Sequence, residues 1–358
     1  MTTDSPDARA TQKPNTGAGL NANVSTTARA LRIGILGAAG IAPAAIIRPA
    51  RRRHDVEVVA VSSRRASAAA DYAGAHGIER SYGGYAEMLA DPDIDLVYNA
   101  LPPSEHMQWS IAALEAGKHV LCEKPFAMNA AQAEAMNRSA ADTGLRLIEA
   151  FHDRYHPLSL EVDRIVDSGV LGDIVDVHAD FSGSNPFDPR SIRHDPAVGG
   201  GSLMDLGCYP VHWVRALLRD EPTVVEAQAT LNPLGADLTM DAALTFPSGA
   251  RARVTSSMVD GVTLNATLDV TGRRGTVHVD NLVFPSSGHS ITVAVDGVDY
   301  VTTVAGRTTY DHQLDAVVAG LASGETLPTE GADTVSNMAL IDAIYTAAGF
   351  DRTVYSAR

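Results

Sequence analysis

The sequence predicts an α/β protein in which a doubly wound parallel sheet is followed by an α+β domain with a large, open, mostly antiparallel sheet. Up to about residue 150, short apolar strands alternate with helical segments, a rhythm typical of parallel sheets with crossover helices. From residue 223 to 304, strand follows strand with two-residue alternation. The 358 residues also exceed the about 250–300 at which a single core stops growing, so we expect two domains.

In the first half, the predicted strands are short apolar runs and the predicted helices are rich in alanine. The strands cover residues 31–37, 56–63, 94–101, 119–125 and 145–151. The helices between them cover residues 38–53, 63–77, 104–118 and 129–144. We place the boundary at about residue 150, which makes 31–150 the first domain and 151–358 the second.

The second half opens with a predicted helix at 158–169 and a strand at 174–183, and a stretch rich in glycine and proline then reaches residue 201. Six further strands are predicted at 223–231, 238–246, 250–257, 263–272, 276–280 and 290–295. Two helices close the chain, near 311–323 and 333–350. Residues 1–30 are polar and small, so we expect a disordered, dispensable extension rather than a targeting segment.

The composition indicates an ordinary globular protein and excludes several functions. Hydrophobic residues make up 45%, yet no apolar run approaches the about 20 residues that a membrane span needs. The formal net charge of −15 disfavours binding to nucleic acid or to an anionic membrane. The cysteines, Cys122 and Cys208, lie far apart in the sequence, which favours reduced thiols in a cytoplasmic protein. Because Asp and His residues never gather at ligand spacing, we expect no metal site.

A glycine-containing turn joins the first predicted strand to the first predicted helix. Gly37, Ala39 and Ala42 hold the three positions at which a dinucleotide-binding turn needs small residues, and Gly40 and Ile41 complete the turn. Alone the pattern is weak, because alanine replaces two of the glycines. Its place between an apolar strand and a helix, whose N-terminus can bind phosphate, predicts a Rossmann domain that binds a nicotinamide dinucleotide.

The end of the second strand bears on the choice of cofactor. An NAD site usually places Asp or Glu there to bind the ribose 2′-hydroxyl. This chain has Ser62, Ser63 and Arg64 instead, whose hydroxyl and guanidinium groups suit a 2′-phosphate. The sequence therefore favours NADP, with NAD as the alternative. Alternatively, these three residues are only solvated polar residues at the start of a helix and do not bind a cofactor.

The loops after the strands at 94–101 and 119–125 are candidates for the same site. Ligands of open parallel sheets bind beyond the carboxyl ends of the strands. Five loop residues are therefore expected at the cofactor: Leu101, Pro102, His106, Glu123 and Lys124. Pro125 restricts the backbone of the lysine before it, so the ammonium would approach a reacting oxygen with little freedom. A surface lysine at the end of a strand is the alternative.

Four strings together give the chain a family resemblance. They are LPPSEH at 101–106, EKP at 123–125, GGGSLMDLGCYP at 199–210 and MALIDAIY at 338–345. With these strings the chain resembles the glucose–fructose oxidoreductase/inositol dehydrogenase (Gfo/Idh/MocA) family over residues 31–350. The resemblance implies a Rossmann domain followed by a large open sheet, and hydride transfer to polyols, pyranoses or keto-sugars. It also implies a homodimer or homotetramer.

The resemblance assigns catalytic roles to Lys124, Asp205 and Tyr209. Lys124 matches the family lysine, which touches both the nicotinamide ribose and the substrate hydroxyl, and the other two match a pair of an acid and a His or Tyr. From spacing alone, Asp205 and Tyr209 would share one helical face. The phenol would need a nearby cation, such as Lys124, to act as an acid or base near neutral pH. Alternatively, both residues are purely structural: Asp205 caps a helix and Tyr209 is a core aromatic residue.

Pro210 constrains this part of the chain, because a proline inside a helix leaves a carbonyl without its hydrogen bond. Either the long helix begins near Pro210, or a bend lies beside the proposed acid.

The segment EAFHDRYHP at 149–157 resembles the EAFMYRxHP segment of dihydrodiol dehydrogenases and NADP-dependent xylose dehydrogenases. Arg154 and His156 therefore become candidate substrate residues. Asp153 departs from the aromatic residue common there, so the substrate preference does not transfer. His194 and His212 are weaker candidates, since such histidines are more often surface or core residues.

The leading hypothesis is an NADP-dependent oxidoreductase that acts on a sugar, polyol or keto-sugar. The main alternative is a catalytically silent regulator that senses its cofactor on the same fold, but the retained Lys124, Asp205 and Tyr209 argue against it. A reductase of dihydrodiols or diketones is the third hypothesis. It would favour a pocket rich in aromatics, whereas aromatics make up only 5% of the chain.

Overall fold

Residues 29–350 are described by a computed structural model of the chain. The predicted extension at 1–30 therefore lies outside the described residues, apart from its last two positions. Within residues 29–350, no helix is long and apolar enough to cross a membrane.

A six-stranded parallel sheet forms the centre of the first domain. Its strands are β1 Leu31–Leu36, β2 Val56–Ser62, β3 Arg80–Tyr82, β4 Leu96–Asn99, β5 His119–Cys122 and β6 Leu147–Glu149. They lie in the order β3-β2-β1-β4-β5-β6, so the chain changes direction across the sheet between β1 and β4. This order confirms the predicted doubly wound Rossmann sheet.

Five helices connect these strands, and the first continues a π-helical turn at Pro43–Ile47. They are α1 Arg48–Arg51, α2 Ala66–His76, α3 Tyr85–Leu89, α4 Pro103–Glu115 and α5 Ala130–Thr143. Strand β3 and helix α3 were not predicted from the sequence. With three and five residues, these elements are too short to show the periodicity of a strand or a helix.

The second domain is built on an eight-stranded sheet, which α6 Pro157–Asp167 precedes. Its strands are β7 Ile174–Ser182, β8 Thr223–Leu231, β9 Asp237–Thr245, β10 Arg251–Ser257, β11 Asn265–Gly272, β12 Gly275–Val279, β13 Ile291–Val295 and β14 Val298–Thr302. The order is β14-β13-β12-β11-β7-β10-β9-β8, and only the β7–β10 pair is parallel. The mostly antiparallel open sheet is confirmed.

Strand β14 was not predicted, although the sequence carries a signal for it. Asp296 and Gly297 both have positive φ, 53° and 78°, and together form the two-residue turn between β13 and β14. An Asp-Gly pair between two β-branched runs is a strong hairpin signal.

Three long helices complete the domain: α7 Cys208–Leu218, α8 Thr309–Ser323 and α9 Ala332–Ala347. The first and third pack on the eight-stranded sheet. Helix α8 instead returns to the first domain, where Leu314 and Val317 share a core with Ile33, Ile35 and Tyr98. The described part of the second half, residues 151–350, therefore does not pack entirely as a separate domain.

The two faces of the eight-stranded sheet differ in character. Side chains such as Met240, Val254 and Leu268 are buried on the face that the helices cover. The opposite face is polar and partly exposed, and there Arg253 pairs with Asp241 across neighbouring strands. This outer face is the surface that a subunit contact on the sheet would use.

Candidate active site

A cavity of about 470 Å³ lies at the carboxyl edge of the parallel sheet and is lined by both halves of the chain. The loops after β1, β4 and β5 contribute Ala39, Gly40, Ile41, Ala100, Leu101, Pro103, Glu123, Lys124 and Pro125. The facing residues are His152, Phe181, Ile192, Arg193, Gly199, Asp205, Leu206, Tyr209, Val283, Phe284 and Tyr310. The cavity thus lies where the strand order reverses, which is the ligand site of open α/β sheets.

The turn after β1 has the shape that a pyrophosphate needs. Gly37 has a φ of +92°, and a Cβ there would lie 3.0 Å from the Leu101 side chain. At Gly40, a Cβ would meet nothing within 4 Å, so the backbone there is open to a ligand. Ala42 is fully buried, as close packing of the helix on the strand requires. In the described part of the chain, the N–H groups of residues 38–41 have no acceptor and can bind phosphate oxygens.

The end of β2 supports only part of the predicted phosphate site. Ser62 is fully buried and its hydroxyl donates to the Ile35 carbonyl at 3.3 Å, so its assignment to the cofactor is wrong. Ser63 is partly exposed, and its N–H donates to the Tyr82 carbonyl. Arg64 is exposed and has no carboxylate partner within residues 29–350. It is therefore a cation available there for a 2′-phosphate, beside the equally exposed Arg65.

Lys124 lies at the end of β5 with its ammonium in the cavity. Its Nζ donates to the Asp205 carbonyl at 2.6 Å and to Oδ1 of the same residue at 3.2 Å, and it lies 5.3 Å from the centre of the Tyr209 ring. The Lys124–Pro125 peptide bond is cis. Burial lowers the pKa of Lys124, but the nearby acidic groups, Asp205 first among them, together outweigh burial and raise this pKa above its ordinary value. The side chain is therefore an ammonium at neutral pH.

Asp205 holds two cations at once. It lies in a π-helical turn, Leu203–Gly207, and its Oδ2 accepts from Arg193 Nε at 2.7 Å. Burial alone would raise the pKa of Asp205, but Lys124 and Arg193 lower it below its ordinary value. The buried carboxylate of Asp237 accepts from the Leu203 N–H at 2.7 Å and so fixes the start of this turn.

The structure resolves the position of Pro210. The π-helical turn Leu203–Gly207 runs without a break into α7 at Cys208, so Pro210 lies just after an irregular turn that contains the proposed acid, and the structure favours the second alternative over a helix that starts at Pro210. Asp205, in the turn before the helix, and Tyr209, in its first turn, both line the cavity, which confirms that they share one face.

Tyr209 is almost fully buried, and its partner is a residue that the sequence analysis did not select. Its hydroxyl lies 2.9 Å from Nε2 of His152, which follows β6 in a 3₁₀ turn, His152–Tyr155. Burial raises the pKa of Tyr209 well above its ordinary value. The prediction that Lys124 would bring this phenol near neutral pKa is therefore wrong, because desolvation of the phenolate dominates.

Two predicted cofactor residues, Glu123 in the cavity wall and His106 behind it, stabilise the loops. Glu123 accepts hydrogen bonds from the Tyr98 hydroxyl and from the Lys124 N–H, and burial raises its pKa. His106 is buried and its ring nitrogens contact the carbonyls of Leu101 at 2.7 Å and Pro125 at 3.0 Å. His106 therefore joins the two loops and does not line the cavity, and neither does the predicted Pro102, which precedes α4.

The candidate substrate residues lie outside the cavity lining. Arg154 pairs with Asp163 at 2.6 Å, and the ring of His156 contacts the Leu158 N–H and the Arg307 carbonyl. Both residues are thus engaged within the second half of the chain, and their assignment to substrate is wrong for this cavity.

The remaining residues considered near this segment are also structural. Asp153 is buried and accepts from the indole of Trp213 at 2.6 Å. His194 is buried beside the Pro186 carbonyl, and His212 stacks on Phe151 with ring centres 4.4 Å apart. None of them lines the cavity.

Sequence reasoning missed His152, Arg193 and Tyr310. A signal for the first was present, because His152 stands where the quoted family segment EAFMYRxHP has methionine. Nothing comparable marked Arg193 or Tyr310, which reach the cavity from a loop and from α8. In residues 29–350, no group of three or more His, Cys, Asp or Glu side chains is placed to hold a metal ion.

Both halves of the chain match models of known protein families. Residues 31–151 match the family model described as "Oxidoreductase family, NAD-binding Rossmann fold", and residues 159–278 match the "GFO/IDH/MocA C-terminal domain". A D-xylose 1-dehydrogenase (NADP(+)) of Haloferax volcanii is 37% identical over 89% of this chain and 97% of its own. A trans-1,2-dihydrobenzene-1,2-diol dehydrogenase of Xenopus laevis is 33% identical over 64% and 69%.

A solved structure agrees with these relatives. The crystal structure of a 3-ketoreductase from Actinomadura kijaniata, in complex with NADP and TDP-benzene, has a TM-score of 0.83 and 27% identity over 89% of this chain and 98% of its own. The strand order, the cavity at the switch point and the two family models point the same way. The chain belongs to the glucose–fructose oxidoreductase/inositol dehydrogenase (Gfo/Idh/MocA) family of oxidoreductases.

Proposed function

We propose that this protein is an NADP-dependent dehydrogenase or reductase that moves hydride between the nicotinamide and a secondary alcohol or carbonyl of a sugar, polyol or keto-sugar. One observation carries the proposal. The ammonium of Lys124, paired with Asp205 and facing the Tyr209 ring, lines the same cavity as the phosphate-binding turn at residues 39–41. A cation and a proton donor therefore lie beside the place that a dinucleotide would reach.

The residues of the first domain fit a bound dinucleotide. The unpaired N–H groups after β1 suit the pyrophosphate, and Arg64 suits a 2′-phosphate. The match to an NADP-dependent relative supports this choice, with NAD as the alternative. When bound, the nicotinamide supplies or accepts the hydride.

The chain's own residues handle the charge and the proton. An alkoxide that develops on the substrate would be stabilised by the ammonium of Lys124, more in the transition state than in the ground state. Tyr209 would exchange a proton with the same oxygen. Asp205 would hold Lys124 in place and accept a hydrogen bond from a neighbouring substrate hydroxyl. The regulator hypothesis is disfavoured because all three side chains line the cavity.

The aromatic lining of the cavity favours a second candidate function. Phe181, Tyr209, Phe284 and Tyr310 all face it, although aromatics are few in the chain as a whole. Such a lining suits a ring substrate, so oxidation of a trans-dihydrodiol or reduction of a diketone is the alternative. The Xenopus dehydrogenase named above supports it.

A substrate screen tests both candidates. Purified protein is given NADP or NAD with aldoses, inositols and polyols, and in parallel with a trans-dihydrodiol, while absorbance of the reduced nicotinamide is followed. Reduction is assayed with keto-sugars and diketones. Turnover of a sugar or polyol with NADP supports the first candidate, and turnover of the dihydrodiol alone supports the second. Cofactor binding without turnover of any of these compounds would support the regulator instead.

We also propose a homodimer or homotetramer that uses the outer face of the eight-stranded sheet, in a cytoplasmic protein. The alternation of strands β9 to β11, which leaves a polar second face without cover, supports the contact. Two buried free thiols, Cys122 and Cys208, support a reducing compartment.

A further inference from the structure

His152 forms a continuous line of hydrogen bonds from the cavity into the protein. Its Nε2 lies 2.9 Å from the Tyr209 hydroxyl, and its Nδ1 lies 2.8 Å from the Thr309 hydroxyl. Thr309 is the first residue of α8, and its hydroxyl is 3.5 Å from the Val283 carbonyl. His152, Tyr209 and Thr309 are all at least 97% buried, so water competes little for these bonds.

One order of donors satisfies every group along this line. The Val283 carbonyl can only accept, so in this order the single hydroxyl proton of Thr309 is donated to it across 3.5 Å. Thr309 then accepts from His152, which places the ring proton on Nδ1. Nε2 is left with a lone pair, and the Tyr209 hydroxyl donates to it. The lone pairs of the phenol oxygen remain available to the cavity.

The surroundings keep His152 uncharged. Burial, and then the positive charge of Lys124, lower the pKa of His152 to about 3. The ring packs against Tyr310, with centres 4.0 Å apart, and this contact fixes its plane. A neutral imidazole, with one ring nitrogen able to accept a proton, is therefore the resting state at neutral pH.

We propose that His152 is the proton acceptor behind Tyr209, that these two residues form a proton relay that serves the dehydrogenase direction, and that Thr309 is a positioning residue that holds the His152 ring. The inference rests on the proposed function of this cavity. It assigns a role in proton transfer to a residue that stands where the quoted family segment has methionine, which cannot accept a proton.

As the carbinol C–H bond breaks, its hydride goes to the oxidised nicotinamide, the C=O bond forms, and the carbinol proton moves to the phenol oxygen of Tyr209. The phenol proton moves at the same time to Nε2 of His152, so no free phenolate forms. The products are the carbonyl compound, the reduced nicotinamide and an imidazolium. When the carbonyl product leaves, the imidazolium returns its proton to the phenol oxygen, and the phenol releases a proton to water that enters the cavity. A base of low pKa suffices, because the proton of a carbinol that is losing hydride becomes strongly acidic. Reduction runs the same steps in reverse.

The tautomer can be tested without any turnover. Nitrogen-15 NMR of histidine-labelled protein at neutral pH should show His152 protonated at Nδ1 only, and Tyr209→Phe should shift the Nε2 resonance while Nδ1 keeps its proton. Thr309→Val should reduce the population of this tautomer, and Thr309→Ser, which keeps the hydroxyl, should preserve it. A ring protonated at Nε2, or an imidazolium at neutral pH, would overturn the relay whatever the substrate is.

Kinetics then tests the relay in the reaction. His152→Gln retains an acceptor for the Tyr209 hydroxyl but cannot take its proton, so kcat for oxidation should fall by about a hundredfold with KM little changed. Tyr209→Phe should lose about as much, and the double variant should lose no more than the larger single loss. His119→Gln, at the other end of β5, is the control and should keep kcat.

The two proposals fail in different ways. If the wild type turns over none of the substrates named above, the proposed function fails, and the NMR experiment still decides the tautomer. If the wild type is active but His152→Gln keeps its kcat, or the losses of the two single variants multiply, His152 is not in the relay. Should His152→Gln not fold, the same comparison is made between Thr309→Val and Thr309→Ser, where only the valine variant should lose kcat.

Discussion

At the scale of single residues, the cavity is organised around the carboxylate of Asp205. Its two oxygens engage Lys124 and Arg193, at 3.2 Å and 2.7 Å. Because each charge favours the ionised form of the other, the pKa of Asp205 is lowered and that of Lys124 is raised. Both groups therefore stay charged over the neutral range, and Lys124 cannot act as a base while this pairing holds. In the proposed mechanism, proton exchange is therefore assigned to Tyr209 and not to Lys124.

The charge of Lys124 predicts a large effect on turnover. Lys124→Met removes the ammonium that stabilises the alkoxide, and kcat should fall by about a hundredfold or more while the fold survives. The measurement is kcat at saturating cofactor and substrate, with melting temperature as the check on folding. Lys124→Arg, which keeps a cation, should retain more activity than the methionine variant. Equal kcat in the methionine variant and the wild type would remove Lys124 from the mechanism.

The pairing also predicts how Asp205 contributes to stability as pH changes. A carboxyl whose pKa is lowered by folding adds stability that is fully present above its unfolded pKa, about 3.9, and is lost as pH falls through the folded value. The difference in unfolding free energy between wild type and Asp205→Asn should therefore shrink below about pH 4. Urea melts from pH 7 to pH 3 measure it. A difference that stays constant or grows in acid would contradict the lowered pKa.

The exposed Arg64 predicts cofactor preference. If it binds the 2′-phosphate, Arg64→Ala should weaken NADP by about ten- to a hundredfold and leave NAD nearly unchanged. Titration of the protein with each cofactor, followed by fluorescence, gives both Kd values. Arg138→Ala on the surface of α5 is the matched control. Tighter binding of NAD than of NADP by the wild type would reject this interpretation of the turn.

At the scale of elements, the two glycines of the turn after β1 have different roles. One allows the backbone conformation of the turn, and the other leaves space for a ligand. Gly37 needs positive φ and lies close to Leu101, whereas Gly40 has an ordinary φ and open surroundings. Glycine therefore suits each of the two positions for a different reason. The first concerns the fold of the turn, and the second concerns the room left for phosphate.

Two alanine substitutions test this distinction. Gly37→Ala should lower the melting temperature and weaken NADP binding together, because an L-residue at positive φ costs about 1–2 kcal/mol. Gly40→Ala should leave the melting temperature unchanged and weaken only NADP binding. Thermal melts and cofactor titrations of the two variants provide the comparison. A Gly40→Ala protein with unaltered NADP affinity would show that the phosphate does not lie over this residue.

At the scale of the whole molecule, the eight-stranded sheet has one face packed by α7 and α9 and one polar outer face. The proposed oligomer buries this outer face, so we expect light scattering of the wild type to report a dimer or tetramer. Ala243→Arg places a second cation beside Arg253 on that face and should shift the protein towards the monomer. Ala131→Arg, on exposed α5, should not. A wild-type monomer at micromolar concentration would exclude the contact.

The sequence predicted the fold well where elements are long. Strand β8 was predicted residue for residue, and α8 and α9 to within two or three residues at each end, because a long element leaves more signal in the sequence than a short one. The short β3 and the exposed β14 were missed. The site was predicted in part: Lys124, Asp205 and Tyr209 do line one cavity, whereas Ser62, Arg154 and His156 are engaged elsewhere.

The sequence by itself determined the order of strands and helices, the glycine turn and the loops that would carry the chemistry, because these depend on local spacing. Only the tertiary structure decided which side chains meet. His152, Tyr209 and Thr309 come from three distant parts of the chain, and their hydrogen bonds exist because α8 returns to the first domain. The pKa values are likewise decided by the tertiary structure. Burial raises the pKa of Tyr209 and lowers the pKa of His152, and burial depends on packing and not on neighbours in the sequence.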